Sequence, residues 1–255
     1  MRTVLPGIVG LICLVLILPI VIVVTLSFSG QGFLEFPPRS YSLRWFEAFF
    51  ASPGWRASMW SSAEIALVAC VIATVVGFLA AYAFLRSEIR GKKLLLSAML
   101  LPVIVPTVIT SIAMYFASAR IGLVGNPVWI GICHAVVALP VVLLILLSAL
   151  QAVDVNLERA ALSLGASRLR VMLRIVLPIA APGVASAALF GFLTSFDELI
   201  ISLFLASASR PTLPVRIWNS LHLQIEPIIA AVSTLLIGVT AIVLLLDAAL
   251  RRRRA

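Results

Sequence analysis

The stretch Leu157-Glu-Arg-Ala-Ala-Leu-Ser-Leu-Gly165-Ala-Ser-Arg-Leu-Arg-Val-Met-Leu-Arg174-Ile-Val-Leu-Pro178 decides the fold. It contains polar residues and lies between two long apolar runs, yet it keeps a helical period. Leu157, Ala160, Ala161 and Leu164 fall at i, i+3, i+4 and i+7, which makes one narrow apolar stripe. Glu158, Arg159 and Ser163 occupy the rest of that first helix. Gly165 supplies backbone freedom for a sharp turn, and Ser167 suits the N-cap of a second short helix. Arg168, Arg170 and Arg174 mark a cytoplasmic position, and Pro178 stands where the next membrane helix can begin. By periodicity alone, an amphipathic loop lying on the membrane surface satisfies the pattern equally well.

Composition bounds the surroundings. The chain has 255 residues, 62% hydrophobic and 11% charged. A soluble domain of that size could not hide so much apolar surface, so the fold class is an all-α polytopic membrane protein. The net charge of +9 does not indicate nucleic acid, because the basic residues cluster at the ends of apolar runs and form no continuous patch. Cys13, Cys70 and Cys133 all lie inside apolar runs and suggest no disulfide, metal or redox chemistry.

Six transmembrane helices are expected in a single transmembrane domain over 1–255, at about 5–28, 63–85, 94–119, 128–150, 179–204 and 228–250. A cytoplasmic loop, 152–178, joins the fourth to the fifth. The first span reads as a retained helix with a possible kink at Pro19. Met1-Arg2 could begin a signal peptide, but the apolar run is too long and no small-x-small site follows closely. Ser42–Phe50 reads as a short helix whose aromatics, Trp45 among them, lie at headgroup depth or pack into the core. Pro102 and Pro106 in the third span leave backbone groups in need of partners, which places that span toward the interior. Thirteen of the nineteen basic residues fall on one side of this topology and six on the other, which puts both termini in the cytoplasm.

Asp197-Glu198 is the costliest feature of the fifth span. An acid at mid-bilayer costs roughly 2.5–3.5 kcal/mol on insertion scales. On a continuous helix the two carboxylates would share one broad face in the outer half of the span. Two readings stay open: part of a path for a cation, with Asp197 first, Glu198 second and Ser195 beside them, or a bond to a neighbouring subunit and interfacial exposure. Glu64 and Asp247 lie near span ends, where solvation accounts for them. His134 and His222 each stand alone without ligand spacing, so hydrogen-bonded packing is expected and no metal site. Ser186, Ser195 and Ser202 suit close helix packing rather than nucleophilic catalysis.

Ala160-Ala161, then Gly165, then Ile175-Val-Leu177-Pro178 resembles the EAA motif of ABC importer permeases, the loop that docks into the ATPase subunit. Arg159 stands where the family carries its glutamate, with Glu158 one residue earlier. The resemblance implies a type I-like ABC importer transmembrane domain whose coupling residues are Glu158, Arg159, Ala160, Ala161, Leu164, Gly165 and Ala166. Four further stretches, Tyr41–Phe46, Ser195–Ile201, Thr212–Trp218 and Glu226–Thr234, look like spermidine/putrescine-type permeases. The family implies a second, usually non-identical permease subunit, two ATPase subunits holding ATP and Mg, and an extracytoplasmic solute-binding protein. It also implies a bacterial cytoplasmic (inner) membrane, import of polyamines or another small organic solute, and no cofactor on this chain. No Walker-type phosphate loop is present in the sequence. An intramembrane hydrolase would need a Gly-x-Ser-x-Gly or Gly-x-Gly-Asp signature, which is missing. A proton-coupled secondary carrier built around Asp197 would leave 152–178 without a purpose and would show inverted repeats.

Overall fold

The structure is a computed structural model that describes residues 4–88, 90–223 and 226–252. Met1-Arg2 and the arginines after Arg252 lie outside the described residues. All regular elements among those described are helical, and a lone bridge pairs Ser29 with Tyr41. The chain divides into two compact units, residues 1–57 with 216–242 and residues 58–215 with 243–255.

In the first unit, α1 (Val4–Ser27) is apolar on every side, and its side chains from Gly7 to Val21 are exposed. A helix apolar all round is one meant for lipid or for another apolar surface. The return after it is held by Gly30 N–H to the Ser40 carbonyl (2.8 Å) and Ser42 N–H to the Phe28 carbonyl (2.7 Å). α2 (Arg44–Ala51) splits its aromatics between the two expected roles. Phe49 is fully buried beside Trp55, with ring centroids 6.3 Å apart, whereas Phe50 points outward. The Arg216 guanidinium lies 5.0 Å from the Trp55 ring centroid and against Gly54, where a Cβ would come within 2.6 Å of it.

The second unit is a helical bundle. α3 (Pro53–Arg86) enters it at Ser58. There follow α4 (Lys92–Ile104), α5 (Thr107–Arg120), α6 (Pro127–Gln151), α7 (Val155–Ser163), α8 (Arg168–Val171), a π-helical turn (Met172–Val176), α9 (Leu177–Phe196) and α10 (Ile200–Leu205). α11 (Leu213–Leu223) and α12 (Ile228–Arg252) complete the order. The core is built from Ala69, Ala73, Phe78 and Ala81 of α3, Ala138, Val142, Leu143, Leu146 and Leu150 of α6, and Ala180 and Ala187 of α9. Small residues let these helices approach closely. A Cβ on Gly131 would meet Val68 at 2.7 Å, and one on Gly183 would clash with Ala149.

The bundle has two recognisable ends. Glu64 pairs with Arg210 (3.3 Å), and Gly125 N–H donates to the Leu205 carbonyl (2.8 Å), at one of them. Arg86, Leu150, Val153 and Glu158 meet at the other.

Two expected spans are interrupted. The third is broken between α4 and α5 by a 100° bend. Val105 adopts an extended conformation (φ −76°, ψ 129°), as a residue before proline prefers, and Pro106 then caps α5. No residue of α4 is fully buried within this chain, although Leu96 and Met99 pack against the bundle core, and Leu95, Ala98, Met99 and Pro102 line a cavity with α3 and α6. The fifth is helical only to Phe196, pauses at 197–199, and resumes as α10. Among the described residues, four helices are long and apolar enough to cross a membrane, or five if the bent α4–α5 pair counts as one span. α12 contains the apolar stretch Ile228–Ile242.

Candidate functional site

The 152–178 segment owes its shape to local signals. The Asp154 carboxylate caps α7 by accepting from Asn156 N–H (2.8 Å). At the other end Gly165 sits at φ +82°, in the left-handed region that a residue with a Cβ avoids. Gly165 N–H donates to the Leu162 carbonyl and Ala166 N–H to the Ala161 carbonyl, which together close a Schellman turn. The Ser167 hydroxyl then accepts from Arg170 N–H (3.3 Å) and starts α8. The expected Gly165 turn and Ser167 cap are both present.

The two faces of this segment differ. Ala161, Ala166, Val171, Met172 and Ile175 pack onto the bundle core. Leu157, Arg159, Ala160, Ser163 and Gly165 are exposed, and Leu164 at the tip is 89% exposed. Most of the apolar stripe read from the sequence therefore points outward, uncovered by this chain. Glu158 does the opposite. It is 5% exposed, accepts from Arg86 Nε (2.6 Å) on Oε1, and accepts from the Tyr82 hydroxyl (3.2 Å) on Oε2. The acid at the start of the EAA-like motif is thus engaged inside the chain, and Arg159 is the charge α7 presents outward. Arg86 lies 72 positions from Glu158, so no local pattern signals the pairing.

The second polar region lies around the pause at 197–199. Asp197 caps the end of α9, and its side chain is exposed, with no ion pair or hydrogen bond to any described side chain. Glu198 is half-buried, and its Oε1 accepts from Ile201 N–H (2.9 Å), which satisfies one free donor at the start of α10. The two acids therefore do not share one helical face. Ser195 is buried, and its hydroxyl lies 2.8 Å from His134 Nδ1, which is also 3.2 Å from the Ser195 carbonyl. His134 Nε2 lies 3.2 Å from the Ser202 hydroxyl. A proton on Nδ1 satisfies all three contacts, because a carbonyl can only accept and Nε2 is then free to accept from Ser202. His134 is a packed, hydrogen-bonded residue that ties α6 to both sides of the pause. Ser186, the third serine, donates to the Pro182 carbonyl (2.9 Å) on its own helix.

Solved structures share this arrangement of helices. A bacterial ABC transporter involved in the import of the acidic polysaccharide alginate superposes with a TM-score of 0.75 at 15% identity, covering 100% of this chain and 96% of that one. The inward-facing MetNI methionine ABC transporter gives 0.60 at 18% identity, covering 77% and 94%. The fold is that of an ABC transporter membrane domain.

The chain belongs to the family described as binding-protein-dependent transport system inner membrane component, whose model matches residues 73–255. It is similar to the spermidine/putrescine transport system permease protein of Haemophilus influenzae, with 28% identity over 93% of this chain and 92% of that protein. It is also similar to the putrescine transport system permease protein of Escherichia coli K12, 27% identical over 88% and 82%. The trehalose transport system permease protein of Mycobacterium tuberculosis is 33% identical over 62% of this chain and 58% of that one. The chain is a multi-pass inner-membrane permease component of an ABC importer, a transporter part rather than an enzyme.

Proposed function

We propose that this permease forms half of the translocation pathway of an importer for polyamines, and that 152–178 receives the motion of a separate ATPase. The observation that carries the reading is the two-sided build of that segment. Its inner side is locked into the bundle core, and its outer side leaves Leu157, Ala160 and Leu164 uncovered beside Arg159. An apolar tip on a rigid, charged segment is what a protein partner would cover.

In this reading the coupling residues are Glu158, Arg159, Ala160, Ala161, Leu164, Gly165 and Ala166, with Glu158 acting from the inner side. ATP and Mg belong to two ATPase subunits, a second permease subunit supplies the other half of the path, and an extracytoplasmic binding protein delivers the solute. The chain crosses the membrane six times, with α12 as the last span and both termini in the cytoplasm. Asp197, exposed at the pause, is the residue that would meet a cationic solute, with Ser195 and Glu198 shaping its surroundings. The polyamine assignment leans on the names of the two relatives matched along most of their length, and on the charge match between Asp197 and an oligoamine. The trehalose relative supports a second reading, a neutral sugar as solute.

The test is uptake by proteoliposomes holding this chain, its partner permease, the ATPases and the binding protein. Spermidine or putrescine uptake that requires ATP is expected. Uptake by this chain alone would overturn the importer reading, and uptake of trehalose but no polyamine would overturn the solute.

A further inference from the structure

Arg86 is bonded to two other elements of the bundle, α6 and α7. It is carried by the last turn of α3, and its Nε donates to Glu158 of α7. Its Nη2 donates to the Val153 carbonyl (3.0 Å) and lies 3.4 Å from the Leu150 carbonyl. These carbonyls lie at and just beyond the C-terminal end of α6, where backbone acceptors lack helical partners and a cation is favoured by the helix dipole. One guanidinium thus joins three elements. The Tyr82 hydroxyl, one turn earlier on α3, holds the second Glu158 oxygen.

The pair is largely out of water, with side chains 14% and 7% exposed. Burial alone does not explain it. Apolar residues of similar volume often serve stability as well as a buried ion pair or better, because two charges must be desolvated to form it. A charge-assisted, directional link does what apolar packing does not: it fixes orientation and resists sliding. Of α7, Ala161 also packs against the bundle core.

We infer that Arg86 and Glu158 are positioning residues that carry displacement of α7 into α3 and the end of α6. This rests on the reading of 152–178 as the ATPase-facing segment. The pair makes α7 a lever with two fixed outputs.

The experiment uses the complete transporter in proteoliposomes, measuring ATP hydrolysis with and without solute-loaded binding protein. Arg86→Met or Glu158→Met alone leaves one buried charge unpaired and should lower the yield of assembled complex. The double variant Arg86→Met/Glu158→Met removes both charges. It should assemble in normal yield, yet show stimulation over its own unstimulated rate that is roughly tenfold lower than that of the wild type. Full stimulation in the double variant would overturn the inference, because folding would then be the whole contribution of the pair. Should the double variant fail to assemble, Glu158→Gln decides, since it keeps the size and the acceptor: normal assembly with weakened stimulation supports the inference, and normal stimulation overturns it. Absence of any ATPase association with the wild-type chain would sink the importer reading and the inference with it. Wild-type stimulation combined with full stimulation in the double variant would sink the inference alone.

Discussion

Two polar clusters lie buried in the same helical bundle, and they are built from opposite materials. At the end of the bundle, Arg86, Glu158 and Tyr82 form an ion pair with a phenol attached. Further in, His134, Ser195 and Ser202 form a network that is satisfied with no net charge. His134 lies roughly 10 Å along α6 from its first residue, taking 1.5 Å per residue. The difference follows from depth. A charge near a span end can share solvent and helix-end carbonyls, whereas one deeper in hydrocarbon has neither. The ionic cluster joins α3, α7 and the end of α6, and the neutral one ties α6 to both sides of a gap in a span.

The comparison breaks most readily at Gly165. Proline cannot adopt φ +82°, so Gly165→Pro should abolish the turn between α7 and α8 and drop solute-stimulated ATP hydrolysis to the unstimulated rate. Normal stimulation in that variant would remove the segment from the coupling path. Next in size is the neutral cluster. His134→Ala leaves two buried hydroxyls without their partner and should cost about 2–3 kcal/mol, read as a lowered thermal midpoint of the purified complex. An unchanged midpoint would mean that water replaces the ring.

The acids at the pause then sharpen the contrast between cap and pathway. Glu198→Ala should cost about 1 kcal/mol of stability through loss of the α10 cap, while Glu198→Gln, which keeps the acceptor oxygen, should cost less. Equal losses in the two would assign the effect to charge instead. Asp197→Asn should leave stability alone and raise the KM for a polyamine roughly threefold, the size expected of one exposed charge contact. An unaltered KM would return Asp197 to a structural role.

What was legible in the sequence was local. Gly165 and Ser167 announce the turn and the cap because both act within three residues of themselves. The prolines of the third span mark where a break can fall, but its 100° angle depends on packing that no local pattern encodes. The pause at 197–199 has neither glycine nor proline to signal it, so Asp197 and Glu198 read as neighbours on one helix. Instead Glu198 accepts from Ile201 N–H at the start of the next helix. The Arg86–Glu158 contact spans 72 positions and could not be read from either end. A signal for the histidine cluster was available: Ser195 and Ser202 are seven residues apart, a spacing that puts them on one side of a helix facing whatever lies opposite.

The π-helical turn at Met172–Val176, where Leu177 N–H reaches back to the Met172 carbonyl, holds one residue more than an ordinary helical turn would. Tightening it by that single residue would swing all of α9 about its own axis by about 100°, carrying Ser195 and Asp197 to a new azimuth while the backbone at Gly165 stayed put. A push that is linear at the membrane surface would then emerge, deeper down, as a twist.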